Sequence, residues 1–144
     1  MRSLPICLLG ATWSLLLLGC TPGYPKTSPV HGTVTLDGKP LEGGEVQFFS
    51  SEGQTASGGI DADGNYRLTT FQPDDGAVPG AYRVAVQPTQ VADYFGGAPL
   101  VVIPDHYMDP ATSGLTAKVH KGINRIDWPL ESDEEEEGGS AGAE

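Results

Sequence analysis

Cysteine is nearly missing from this chain: two residues in 144, Cys7 and Cys20. Two cysteines cannot build a disulfide-rich scaffold or a Cys-ligated zinc site. Positive charge is scarce as well, with 8 Lys plus Arg against 19 Asp plus Glu and a net charge of -11. A surface of that sign repels phosphate backbones, so no nucleic-acid partner is expected. Also missing are Gly-x-Ser-x-Gly, HExxH, a phosphate loop and a dinucleotide fingerprint. Each is the usual sequence trace of one catalytic chemistry, and without them the expectation is no enzyme and no cofactor. Glycine and proline, in contrast, are abundant at 20 and 12 residues. No repeat period organises them, so they read as turns in one small domain.

The chain opens on Met1-Arg2 and an apolar stretch from Leu4 to Leu18. That stretch is short of the roughly 20 residues a membrane span needs, but it suits the core of a signal peptide. It ends in Leu17-Leu18-Gly19-Cys20, which resembles the lipobox of bacterial lipoproteins. The resemblance implies cleavage after residue 19, with Gly19 as the small residue before the cut. It also implies diacylglycerol on the Cys20 thiol and acylation of the new amino terminus. Acyl chains contribute about 0.8 kcal/mol per buried methylene, so two or three of them hold a protein on a bilayer nearly permanently. The lipid bilayer, reached through Cys20, is therefore the first expected partner. Thr21 in place of an aspartate implies forwarding to an outer membrane, and hence a cell-envelope location. Cys7 leaves with the leader.

Residues 20–29 hold Pro22, Pro25 and Pro29, the pattern of an extended spacer. Residues 132–144 hold the run Asp133 to Glu137 and then only Gly, Ser, Ala and Glu. Such a segment cannot offset its ordering entropy by burial, so a disordered acidic tail is expected. Between them, residues 30–131 form the expected domain. Val30, Gly32, Val34 and Leu36 alternate with polar residues, as do Val46 and Phe48. Further stretches surround Ile60, run from Tyr66 to Thr70 and from Tyr82 to Val86, and cover Leu115 to Val119 and Ile126 to Leu130. Turn signals such as Asp37-Gly38 and Asp61-Ala62-Asp63-Gly64-Asn65 lie between them. Seven short strands of period two predict an all-β, seven-stranded antiparallel β-sandwich. Gly32 reads as a place where another backbone comes close. Tyr82 and Trp128 read as core.

Three segments carry a resemblance to a family. VHGTVTLDGKPLEGGEVQF from Val30, DADGNY from Asp61 and PGAYRV from Pro79 resemble a carboxypeptidase regulatory-like domain. The stretch IPDHYMDPATSGLT from Ile103 resembles a version recurring in bacterial lipoproteins. The resemblance implies a transthyretin-like (prealbumin-like) sandwich serving as a non-catalytic binding or structural module. An unknown envelope protein or glycan is then the second expected partner. A carbohydrate-binding accessory role and a calcium-dependent adhesion role are the alternatives. Related transthyretin-like enzymes hydrolyse 5-hydroxyisourate with a Tyr-Arg-Gly-Ser ending, where this chain has Trp128-Pro129-Leu130-Glu131.

No metal is expected at the candidate ligands. Asp61, Asp63 and Asn65 alternate as in a calcium loop, but glycine stands fourth, and position twelve is Gln72 rather than glutamate. His31, His106 and His120 have neither i, i+4 spacing nor cysteine neighbours. The long connection over residues 88–113 draws more notice, because strand connections are usually short. Leu100 to Ile103 within it suit an edge strand ended by Pro104. Tyr94, Phe95 and Tyr107 are the expected partner contacts, since aromatics give large contact area at small entropy cost.

Overall fold

The computed structural model describes residues 23–88 and 102–133. Nine strands follow in order: β1 Val30–Leu36, β2 Lys39–Pro40, β3 Glu45–Ser50, β4 Thr55–Gly59, β5 Asn65–Arg67, β6 Gly80–Gln87, β7 Thr116–Val119, β8 Asn124–Arg125 and β9 Trp128–Leu130. Period-two alternation explains most of them. In β1 the side chains of Val30 and Val34 are buried with the Gly32 backbone between them, while His31, Thr33 and Thr35 are only half-buried. One face of each strand therefore has somewhere apolar to go.

Two sheets result, and the fold is a β-sandwich. The first centres on β1, with β5 and β2 along one edge and β8 and β9 along the other. The second has the order β4-β3-β6-β7, antiparallel throughout. Val46, Phe48, Val84, Val86 and Tyr82 from the second sheet meet Val34, Tyr66, Trp128 and Leu130 from the first, with Leu68 just past β5. Phe48 sits at the centre, its ring centroid 5.7 Å from Tyr82 and 6.0 Å from Trp128 in tilted and edge-on geometry. Aromatic pairs of that kind stabilise by roughly 0.5–1.5 kcal/mol beyond the area they bury.

Besides the added two-residue strand β2 in the expected Asp37–Pro40 turn, and β4, which ends at Gly59 just before Ile60, the strands differ from the expected set in two respects. The last stretch is split, because Ile126 and Asp127 leave the ladder between β8 and β9. Both pieces pair with β1 in parallel, Val30 opposite Asn124 and Val34 opposite Trp128. Gly32 explains the split. A Cβ there would stand 1.7 Å from the Ile126 carbonyl oxygen, so the two backbones touch where the side chain is missing. The second difference is the end of the Tyr66 to Thr70 stretch. β5 stops at Arg67, and Thr69 instead bridges Ser57 of the other sheet.

Residues 102–115 return the chain to β7. Ile103 is buried in the core, and a 3-10 turn over Asp105–Met108 follows it. The Gln87 side-chain amide donates to the Met108 carbonyl at 2.6 Å, and the Ser113 hydroxyl donates to the Val84 carbonyl at 2.5 Å. Val102 and Ile103, the described half of the expected Leu100–Ile103 edge strand, form no ladder.

Candidate functional site

The turn at Asp61 is held by its own carboxylate. Asp61 Oδ1 accepts the N–H groups of Asp63 at 2.9 Å and Asn65 at 2.8 Å. The Asn65 amide stands 3.3 Å from both carboxylate oxygens. These hydrogen bonds, the Asn65 backbone one first, hold the carboxyl below its usual range. Gly64 closes the turn at φ +80°, as such a hairpin demands. The Asp61 carboxylate oxygens are thus engaged in building a turn.

His31 is half-buried on β1, while His106 and His120 are exposed in separate connections. Among the described residues no group of three His, Cys, Asp or Glu stands close enough to hold a metal ion. Tyr107 packs partly buried against the core, beside the His106 ring at 4.0 Å between centroids. Its hydroxyl accepts the Glu131 N–H at 3.3 Å. Of the residues singled out in the sequence as contacts, Tyr107 alone is described. Cys20, Tyr94 and Phe95 lie outside the described residues.

The second site-like feature is the seam around Gly32. Tyr66 is buried, and its hydroxyl donates to the Ile126 carbonyl at 2.7 Å while accepting the Trp128 indole N–H at 3.1 Å. Burial pushes the Tyr66 phenol far above its ordinary value. On the solvent side of the seam, Asp127 Oδ1 accepts both the backbone N–H and the hydroxyl of Thr33, at 2.9 and 3.0 Å. Desolvation opposes ionisation of Asp127, but the Thr33 hydrogen bonds and the Arg125 guanidinium outweigh it and hold the carboxyl low. Each polar group here has a structural partner. A tyrosine with a raised pKa in a cleft would suggest acid–base work; this one is closed inside a core.

Among the described residues, one open surface is a groove of about 910 Å³ on the outer face of the β4-β3-β6-β7 sheet. Phe49 of β3, Arg83 of β6, Lys118 of β7 and Pro110 of the returning segment line it. The strand register places Arg83 opposite Thr116 and Ala81 opposite Lys118, so the two cations are diagonal neighbours on one face. Diagonal partners lie within reach of long side chains, and like charges there disfavour each other. Neither cation has an ion-pair partner among the described residues, where the one ion pair is Arg125 with Asp127 at 3.2 Å.

Sequence reasoning missed this groove, and one signal for it was present. Phe48 and Phe49 are consecutive, and consecutive residues of a strand point to opposite faces. If Phe48 is core, Phe49 must lie on the outside. Arg83 falls at an outward position of the Tyr82–Val86 alternation in the same way.

No protein-family model matches the chain, and no curated protein does. Among solved structures it is similar to a DUF3823 family protein from Parabacteroides merdae, with 17% identity and a TM-score of 0.45. The aligned region covers 74% of this chain and 47% of that one, so the chain spans about half of that protein's length.

Proposed function

We propose that the protein is a lipid-anchored module of the bacterial cell envelope, with a carboxypeptidase regulatory-like sandwich that binds rather than catalyses. The observation that carries the reading is Leu17-Leu18-Gly19-Cys20 at the end of an apolar run too short to span a bilayer. The use of polar groups supports the second half. Every buried side-chain nitrogen or oxygen among the described residues has a hydrogen-bond partner, so the buried polar groups serve the fold. Arg83, opposite Phe49 in the strand register, and Lys118 in the same groove favour an acidic ligand with an apolar face, and an acidic glycan is the class that fits.

Replacing Cys20 with Ser in the full chain tests the anchor. The variant is expected to leave the membrane fraction and to lose labelling by a fatty-acid analogue; retention of both overturns the reading. Melting of the full chain with polygalacturonate, with a neutral glucan and with calcium tests the ligand class. A bound ligand raises the melting temperature by mass action. The acidic glycan is expected to raise it and the other two are not, and a response to calcium alone favours the adhesion alternative.

A further inference from the structure

Four large apolar side chains stand exposed among the described residues: Tyr24, Phe71, Val102 and Ile123. Three of them share one end of the sandwich. The Tyr24 and Phe71 rings stack at 4.6 Å between centroids, with 21° between their planes. Their two segments are stitched together just inside, where Ser28 and Ala77 exchange backbone hydrogen bonds of 2.8 and 3.0 Å. Ile123, 80% exposed, lies in the β7–β8 connection. That connection is tied to the same strand entry, since the Asn124 N–H donates to the Pro29 carbonyl at 2.9 Å.

The loop that presents Phe71 is fixed. The Asp75 carboxylate accepts the N–H groups of Thr70, Phe71 and Gln72 at 2.7, 3.1 and 3.2 Å. The Asp74 N–H donates to the Thr69 hydroxyl at 3.0 Å. Asn124 fixes the other loop, receiving the His120 N–H on its side-chain oxygen and donating to the His120 and Gly122 carbonyls, each at 2.9 Å. Two hydrogen-bonded loops and one chain entry thus hold apolar side chains out toward solvent at one end, where Tyr24 and Phe71 cover each other only in part. Lys26 and Lys121 are exposed in the same segments. An aromatic ring beside a long cationic stem is the composition that settles at a lipid headgroup boundary.

Chain length selects the occupant. Tyr24 stands four positions after Cys20, and a fully extended chain over those four steps reaches about 14 Å at most. An acylated Cys20 therefore keeps Tyr24, and with it this end of the sandwich, within about 14 Å of the lipid attachment. We propose that Tyr24, Phe71 and Ile123 form a membrane-seated face, so that the domain rests on the lipid surface in one orientation instead of swinging on its tether. The proposal rests on the lipoprotein reading. It places the β1–β2 turn, at the far end of the seven-residue strand β1, roughly 20 Å further from the lipid.

The experiment uses the full chain, matured in a bacterial host, purified and reconstituted into phosphatidylcholine vesicles carrying nitroxide-labelled lipid. Single variants Ile123→Cys, Phe71→Cys and Lys39→Cys are labelled with a thiol-reactive bimane, with the unsubstituted chain as control. Loss of bimane fluorescence at 71 and 123 but not at 39 is the expected result. Ile123 makes the safest site, because its exposure lets the variant fold. If mass analysis shows acylated Cys20 while the probe at 123 stays as bright as the probe at 39, the seated face is overturned and the anchor stands. If the unsubstituted chain takes up bimane at Cys20 and carries no acyl mass, the lipoprotein reading fails and takes the proposal with it.

Discussion

The two sheets of this sandwich use their polar residues in opposite ways. Along the β1 seam, Thr33, Tyr66, Asp127 and Trp128 are each spoken for by a partner within 3.1 Å. Across the outer face of the other sheet, Arg83 and Lys118 lie over an apolar floor without a counter-charge among the described residues. Both places hold residue types that a search for active sites would collect. The difference between them is saturation. A side chain whose hydrogen-bonding capacity is consumed by the fold resists change and takes no ligand, whereas an unsaturated cation waits for an anion.

The sharpest way to break the comparison is Gly32→Ala. The new Cβ would meet the Ile126 carbonyl oxygen at 1.7 Å, and both partners are backbone, so neither can swing aside. The cost is expected to exceed the ~3 kcal/mol that marks the usual upper end of overpacking. Thermal unfolding should show a domain that is largely unfolded or melts far lower. A near-unchanged melting temperature would mean that the seam is not rigid.

Tyr66→Phe probes the same seam more gently. It removes one hydroxyl and leaves the Ile126 carbonyl and the Trp128 indole N–H without that partner. Leaving buried groups unpaired costs about 1–3 kcal/mol, which urea unfolding reads as a lower midpoint at unchanged slope. Trp128→Phe in the same background should add less than it does alone, because the two share a hydrogen bond.

Much of this contrast was legible in the sequence, for a physical reason that also sets the limit. Alternation reports which side of a strand is apolar, so the β1, β3 and β6 stretches, the buried Tyr82 and Trp128, and the close approach at Gly32 could all be read beforehand. Alternation does not report which strand lies alongside. The parallel pairing of β8 and β9 with β1, and the break at Ile126 and Asp127, come from that contact and had no local signature. The groove was hidden for the same reason: Phe49, Arg83 and Lys118 stand far apart in sequence and meet only through register. The seated end was hidden too, since Phe71 and Ile123 are single apolar residues in polar loops until the fold lines them up with Tyr24.

Acid and base sharpen the comparison without any mutation. Asp37 accepts the Ser132 N–H at 3.0 Å, and it, Asp61 and Asp127 all titrate below the ordinary carboxylate value in the fold. Their stabilisation is present above the unfolded value of about 3.9 and is lost as pH falls through the lower folded values. Tyr66 and Tyr82 are raised, chiefly by burial, with the Glu52 charge adding to the shift at Tyr82. Their contribution is complete below the unfolded value of about 10 and declines as pH rises above it. Denaturation midpoints should therefore fall off below about pH 4 and above about pH 10. Tyr66→Phe should flatten the alkaline limb.

The smallest expected effect is the one that decides what the groove is for. Arg83 and Lys118 are both exposed and neighbour each other diagonally across β6 and β7, so their mutual repulsion opposes the fold slightly. Replacing both with Ala removes that repulsion along with some packing of their aliphatic stems over the Phe49 side of the groove. The two contributions oppose each other, and the double variant is expected to unfold within about 0.5 kcal/mol of the parent. A structural pair would behave otherwise, as the Tyr66 hydroxyl does, and lose stability when truncated. The readout that should move is the ligand response: the rise in melting temperature given by polygalacturonate should vanish in the double variant and fall by less in Phe49→Ala. If stability drops by as much as in Tyr66→Phe, the cations belong to the scaffold, and the groove has no claim to an anion. If stability holds and the acidic glycan still raises the melting temperature, the anion binds elsewhere on the molecule. Only unchanged stability with a lost response marks Arg83 and Lys118 as the unsaturated charges that the saturated seam lacks.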